Sequence, residues 1–332
     1  MITKKRKIIA IVGPTASGKT GIGVKLAKEF NGEIISADSR QVYRGLDLGT
    51  GKDLAEYGEV KYHMIDIVDP GEKMTLFDYL PLARSAIEDI FARGKVPILV
   101  GGSGLYIQGL VEGFALQQKT ENSTTPGLRG AGKKQKAEYS REQLDKLTTK
   151  ELNEVLEKSD VQKYESIDHK NRHRLIRAIE LAQEGLNPVK IKPDFEVLQI
   201  GVDVPRTELH QRIDKRVDER FEVGMTQEVR DLLISGVDPV WLIGLGLEYR
   251  EITQYLLELR IKNIQLWEKL GENRDSSFVI HNSEFQAMSQ DLKYCTHQFA
   301  RRQMTWFHRF PEIQWLPNYE QIKRFAKIFL EH

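Results

Sequence analysis

Eight consecutive residues, Gly13-Pro14-Thr15-Ala16-Ser17-Gly18-Lys19-Thr20, have the types and spacing of a polyphosphate cradle. Glycines at both ends permit a tight loop whose backbone N–H groups face an anion, Lys19 adds a positive charge, and the Thr20 hydroxyl is a ligand for magnesium. A second polar group, Asp38-Ser39-Arg40-Gln41, carries a carboxylate suited to removing a proton, holding magnesium or capping a helix; position alone leaves all three open. A third group is cationic. Arg206, Arg212, Arg216 and Arg220 recur after a strand end, the pattern by which α/β enzymes bring a cation over bound phosphates; the alternative expectation is that Asp214 and Asp218 pair with them as i,i+4 salt bridges.

These groups meet only if particular elements position them. An apolar run, Ile8-Ile9-Ala10-Ile11-Val12, predicts a buried strand before the loop, and residues 21–30 have helical periodicity after it. Residues 33–37 predict a strand that delivers Asp38 to the same sheet edge, because ligands of an open parallel sheet bind beyond the carboxyl ends of its strands. Further strands are predicted at 61–68, 96–100 and 196–204, and helices at 77–93, 141–158, 171–185, 208–222 and 249–257. The strand at 96–100 runs into Gly101-Gly102-Ser103 instead of the Asp of a Walker B motif, which argues against an ordinary ATPase. Residues 117–136 and 271–284 are polar and aperiodic and predict loops, the first of them mobile.

Two basic stretches are ambiguous by pattern. Arg172, His173, Arg174 and Arg177 lie on one predicted helix, where Arg174 and Arg177 share either a solvated face or a phosphate-contacting one. Residues 298–307 interleave bases with aromatics, which suits RNA backbone contact with base stacking and equally suits a helix packed on a core. The expected architecture is α/β: a P-loop NTPase-like core with a parallel sheet flanked by helices, plus an inserted α-helical subdomain. Its parts are residues 1–115 (first part of the core), 116–190 (the helical insertion) and 191–332 (second part of the core, with the C-terminal helices).

Composition restricts the reading further. The 332 residues are 40% hydrophobic and 29% charged with a net charge of +1, so any nucleic-acid site must come from local clustering. Cys295 is the sole cysteine, which excludes an internal disulfide and a cysteine-based metal site. No apolar run approaches the ~18 residues of a membrane span, and no signal peptide precedes the first strand, so a cytoplasmic protein is expected.

Taken together, the segments resemble the tRNA dimethylallyltransferases. The resemblance rests on the P-loop and on Ile35-Ser36-Ala37-Asp38-Ser39-Arg40-Gln41-Val42-Tyr43, Gly49-Thr50-Gly51-Lys52, His63-Met64-Ile65-Asp66 and Val100-Gly101-Gly102-Ser103-Gly104-Leu105-Tyr106. It continues through Arg174-Leu175-Ile176-Arg177-Ala178-Ile179-Glu180, Arg212-Ile213-Asp214-Lys215-Arg216-Val217 and Gln298-Phe299-Ala300-Arg301-Arg302-Gln303-Met304-Thr305-Trp306, in the family's order over residues 8–316. The segments Asp-Ser-x-Gln-Val-Tyr and Gln-x-Ala-x-Arg-Gln make it specific. There are departures: Ser103 stands for a frequent Thr, His173 for a Gln, His297 for an Arg, and Glu248-Tyr249-Arg250-Glu251 for Gly-Tyr-Lys-Glu.

The resemblance implies transfer of a dimethylallyl group from dimethylallyl diphosphate to N6 of the tRNA adenosine just 3′ of the anticodon. It implies that Gly13 to Thr20 hold the diphosphate with Mg2+ on Thr20, that Arg216 stabilises the leaving group, and that Asp38 is the base. It further implies that Ser39, Arg40, Gln41 and Ser103 meet the adenosine, and that Arg141 (with Arg129 as rival), His173, Arg174 and Arg177 grip the anticodon stem-loop from the insertion. A monomer without membrane contact is expected. A small-molecule or nucleoside kinase and a nucleotide-dependent RNA-binding switch fit the P-loop as well.

Overall fold

The apolar run after Lys5 forms strand β1 (Arg6–Val12), and the loop after it opens helix α1 (Lys19–Glu29). The chain continues as β2 (Gly32–Ser36), a 3-10 turn (Leu54–Tyr57), β3 (Tyr62–His63), α2 (Leu76–Ala92), β4 (Val96–Gly101) and α3 (Gly104–Val111). Next come β5 (Phe114–Gln118), α4 (Arg141–Lys146), α5 (Thr149–Ser159), α6 (Val161–Ser166), α7 (Arg172–Glu184) and β6 (Leu186–Lys190). They are followed by β7 (Phe195–Val202), α8 (Arg206–Glu222), α9 (Met225–Ile234), α10 (Pro239–Leu245), α11 (Leu247–Lys262), α12 (Ser283–Phe307), β8 (Gln314–Leu316) and α13 (Tyr319–Glu331). The structure, a computed structural model, describes residues 5–118, 138–262 and 283–332. Nearly all of the loops expected at 117–136 and 271–284, and Arg129, lie outside the described residues.

The chain divides into two compact units, one comprising Met1–Gly113 with Lys192–His332 and the other Phe114–Ile191. In the first, six strands in the order β3-β2-β4-β1-β7-β8 form a sheet in which every pair is parallel. β1 is central, flanked by β4 and β7 and buried on both faces, which is why its sequence is continuously apolar instead of alternating. Val12 pairs with both Gly101 and Gly201, and Ser36 with Val100, so the P-loop, the Asp38 turn and the Gly101–Gly102 turn leave the sheet at one edge. Ile9, Ile11, Val24, Leu26, Ile34, Ile98 and Ile200 form the core beneath it.

In the second unit, Leu144, Leu152, Leu156, Leu175, Ile176 and Ile179 pack into a core of their own. Two features differ from the sequence expectation. The single helix expected over 141–158 is broken into α4 and α5, because Ser140 and Thr148 each form a capping box, with Gln143 and Glu151, and Leu147 is extended between them. The unit is also not wholly helical: β5 and β6 pair antiparallel, and Gln117 and Gln118 belong to β5. Arg172, part of the basic stretch, donates to the carbonyls of Leu144 (3.2 Å), Asp145 (2.5 Å) and Leu147, closing the end of α4. In the first unit, the strand expected over 61–68 shrinks to Tyr62–His63, since Met64 and Asp66 adopt φ of 67° and 55°. Among the described residues no helix is long and apolar enough to cross a membrane.

Candidate active site

The P-loop turns back on itself through Ala16 and Gly18, whose φ values are 62° and 84°, with Ser17 N–H bonded to the Pro14 carbonyl at 3.3 Å. α1 starts without a side-chain cap, so its first-turn N–H groups keep their capacity for an anion. The Ser17 hydroxyl is likewise buried with no hydrogen-bond partner among the described residues. Thr15, Ala16, Gly18, Lys19 and Thr20 line a cavity of about 260 Å³ together with Asp38, Arg40, Gln41, Arg212 and Arg216. Lys19 Nζ donates to Pro14 O at 3.1 Å. Burial pushes its ammonium down to about 8; Asp38 opposes this shift, and the neighbouring Arg216 and Arg40 add to it.

α8 brings two of its four arginines to the loop. Arg216 donates to the Thr15 hydroxyl, and burial, with Arg220 beside it, pushes its guanidinium down to about 10. Arg212 reaches the Ser17 carbonyl at 3.4 Å and holds Glu208 at 2.5 Å. Arg206 is exposed and Arg220 is buried. The i,i+4 pairing expected for Asp214 and Asp218 is not made: neither aspartate stands three or four residues from any of the four arginines. Asp214 meets His297 at 2.8 Å and Asp218 meets Lys293 at 2.6 Å, both on α12, because these faces of α8 pack against that helix.

Asp38 sits in the turn after β2, where its Oδ1 accepts from the Arg40 N–H at 3.0 Å; no helix starts there, which removes the capping reading. Asp38, Arg40 and Phe299 also line a second cavity of about 430 Å³, which Ser39, Ser103, Arg250, Glu251 and Arg302 share. Ser103 Oγ accepts from the Ser39 N–H at 2.9 Å. Gln41 is buried, with its amide occupied by the Ser36 hydroxyl (2.8 Å) and the Gly51 carbonyl (3.0 Å), so it ties the strand end to the neighbouring turn. In the second unit, Arg141 and Arg177 both pair with Glu180, at 3.0 and 3.1 Å, whereas His173 and Arg174 are exposed.

Two residues quoted from the sequence had no role assigned to them there. Gln303 is buried and bonds the Thr15 N–H and the Gly102 carbonyl, and Glu248 is buried against Arg40. A signal for Gln303 existed: Thr296, Ala300, Gln303 and Phe307 form the buried stripe of α12, and a glutamine within such a stripe needs polar partners. Close packing from two sides explains the glycine pair after β4. A Cβ at Gly101 would clash with the Ala37 carbonyl, and one at Gly102 with Gln303.

A parallel sheet with a P-loop at its central strand, and a carboxylate and arginines on the same edge, defines a P-loop NTPase-like α/β protein. The family described as IPP transferase matches residues 41–310, and that described as isopentenyl transferase matches residues 6–61. The chain belongs to the IPP transferase family and is a transferase. It is 39% identical over 314 residues to tRNA dimethylallyltransferase 1 of Geotalea daltonii, covering 93% of this chain and 90% of that protein. It is 40% identical over 318 residues to tRNA dimethylallyltransferase 2 of Syntrophotalea carbinolica, covering 93% of each. The crystal structure of the full-length tRNA isopentenylpyrophosphate transferase from Bacillus halodurans superimposes with a TM-score of 0.65 at 30% identity, over 98% of this chain and 97% of that one. A eukaryotic dimethylallyltransferase acting on tRNA gives 0.65 at 26% identity, over 91% and 69%.

Proposed function

We propose that the chain transfers a dimethylallyl group from dimethylallyl diphosphate to the exocyclic N6 of the adenosine 3′-adjacent to the anticodon in tRNA. The observation that carries this reading is that Lys19, Thr20 and Arg216 line the same cavity as Asp38, so a leaving group and a base share one site. The N6 lone pair forms a bond to the allylic carbon, the bond from that carbon to the diphosphate oxygen breaks, and Asp38 takes the proton from the nitrogen. Uncapped loop amides, the Ser17 hydroxyl, Lys19 and Arg216 meet the charge that builds on the departing oxygens. An anion there favours the charged form of Lys19, offsetting the effect of burial.

Magnesium fits this donor set. Thr20 would hold it, Asp38, Asp53 and Glu56 line the cavity, and bound magnesium would further neutralise the diphosphate. No group of three or more His, Cys, Asp or Glu suited to a metal occurs among the described residues, so diphosphate oxygens and water would complete the coordination. Reaching Asp38 requires the adenosine to leave its stack, which costs a few kcal/mol, less in a loop than in a duplex. On this reading Ser39, Arg40 and Ser103 meet the adenosine, and exposed Arg174 contacts an anticodon-stem phosphate, with Arg141, His173 and Arg177 nearby on the same unit. The protein acts as a cytoplasmic monomer.

Incubation with magnesium, labelled dimethylallyl diphosphate and an anticodon stem-loop tests the proposal. Label on the adenosine is the expected result. Turnover of ATP in place of prenyl transfer sinks the proposal in favour of a kinase.

A further inference from the structure

Glu248 is a carboxylate only 3% exposed at the start of α11. Its Oε2 accepts from Arg40 Nη1 at 2.7 Å, and its Oε1 lies 3.9 Å from Arg220 Nη1. Arg40, with Asp38 and Phe299, lines both cavities, so the pair stands where they adjoin.

Arg40 is the residue that needs such a partner. Its side chain is 13% exposed, its guanidinium lies over the Phe299 ring at 5.6 Å, and with Asp38 and Phe299 it lines both cavities. A desolvated guanidinium takes whichever carboxylate it can reach. Its backbone N–H already donates to Asp38, and Glu248 and Asp38 are the two anions that most favour its charge against burial. Arg220 adds a second buried cation, whose Nη2 makes no hydrogen bond but lies 3.6 Å from Asp53 Oδ2, and Glu248 also offsets it.

We propose that Glu248 is a positioning residue for the transfer reaction: it holds the Arg40 guanidinium at the junction of the two cavities and off the Asp38 carboxylate, leaving that carboxylate open to the incoming amine. The inference rests on the proposed function. Without the Glu248 charge, Arg40 turns onto Asp38 and occupies the place the amine must reach. The P-loop, Lys19 and Arg216 keep their own contacts, so donor binding changes less than turnover does.

The test compares wild type, E248Q, R40M and the R40M/E248Q double variant in steady-state prenyl transfer, with chemical denaturation as a check on folding. The expected result for E248Q is a kcat loss of about tenfold or more, with KM for dimethylallyl diphosphate within about threefold of wild type. The double variant, which has no guanidinium to misplace, is expected to be faster than E248Q and equal to R40M. A wild-type kcat in E248Q, a loss carried by KM, or a double variant slower than R40M each overturns the inference. If E248Q alone fails to fold, R40M against the double variant decides by the same criterion. Absence of transfer by the wild type refutes the proposed function, whereas transfer unaffected by E248Q refutes this inference alone.

Discussion

Gln303 Oε1 accepts a hydrogen bond from the Thr15 N–H at 2.8 Å, so a side chain 288 residues along the chain holds the P-loop in place. Its Nε2 donates to the Gly102 carbonyl at 2.9 Å, joining the loop after β1 to the turn after β4, while Arg216 grips the Thr15 hydroxyl. Gln303→Ala leaves an amide donor and a carbonyl acceptor without their partner. It is expected to lower stability by about 1–3 kcal/mol in urea unfolding. Because the loop loosens while Asp38 is untouched, KM for the prenyl donor is expected to rise more than kcat falls.

Asp38→Asn separates base chemistry from architecture. An asparagine oxygen still accepts the Arg40 N–H that Asp38 now accepts at 3.0 Å, so the turn is retained. Single-turnover transfer is expected to slow by about 10²–10⁴-fold, while the affinity for tRNA in a filter-binding assay stays within about twofold. Near-normal transfer by this variant would remove Asp38 from the role of base.

Lys52 is wholly buried and donates to the Tyr43 carbonyl at 2.7 Å, to Asp47 at 2.6 Å and to Asp66. Its two carboxylate partners are 55% and 34% exposed, so they rehydrate when the lysine is removed. Lys52→Met is therefore expected to cost about 1–3 kcal/mol in a denaturant titration, less than breaking a fully buried ion pair. A larger loss would mean that the lysine organises more of the 43–66 segment than these three bonds.

Arg174 and Arg177 differ in their pairing. Arg177 is held by Glu180 at 3.1 Å, whereas Arg174 is exposed. Arg174→Ala is expected to weaken binding of the anticodon stem-loop and to reduce the slope of log K against log salt by about 0.7–0.9, the value for one phosphate contact. Arg177→Ala, which leaves Glu180 paired with Arg141 alone, is expected to change the slope less. Unchanged affinity and slope in Arg174→Ala would return this helix face to solvent.

His210 of α8 stacks on His297 of α12 with ring centroids 4.0 Å apart, and His297 meets Asp214 at 2.8 Å. Burial first, then His297 and Arg206, lower the His210 pKa below 6.5, with Asp214 opposing. Below pH 6.5 the unfolded chain then binds more protons at this site than the folded one, so the stability present above pH 6.5 is lost as pH falls. Wild type is expected to lose more unfolding free energy between pH 7.5 and 5 than His210→Gln, as urea titrations at the two pH values would reveal. Equal losses would show that the stack carries no proton linkage.

Much of the architecture was legible from local pattern. The apolar run of β1, the glycine-bounded loop and the periodicity of α1 lie within 25 residues, and the rule that ligands sit beyond parallel strand ends placed Asp38 on the P-loop edge. Periodicity misled where local polar groups overrode it, as when the capping boxes at Ser140 and Thr148 cut one expected helix into two. It also failed at β3, an edge strand whose pairing stops after Ile34–Tyr62 and Ile35–His63.

By itself, then, the sequence determined the glycine-bounded loop between a buried strand and a helix, and the α/β class that carries it, because each depends on backbone within a few turns. Tertiary structure alone decided that Gln303 braces Thr15, that Asp214 and Asp218 find His297 and Lys293 on α12, and that Glu248 claims Arg40 from 208 residues away. Such pairs follow from which helix faces are buried together, and neither spacing nor propensity along the chain encodes that.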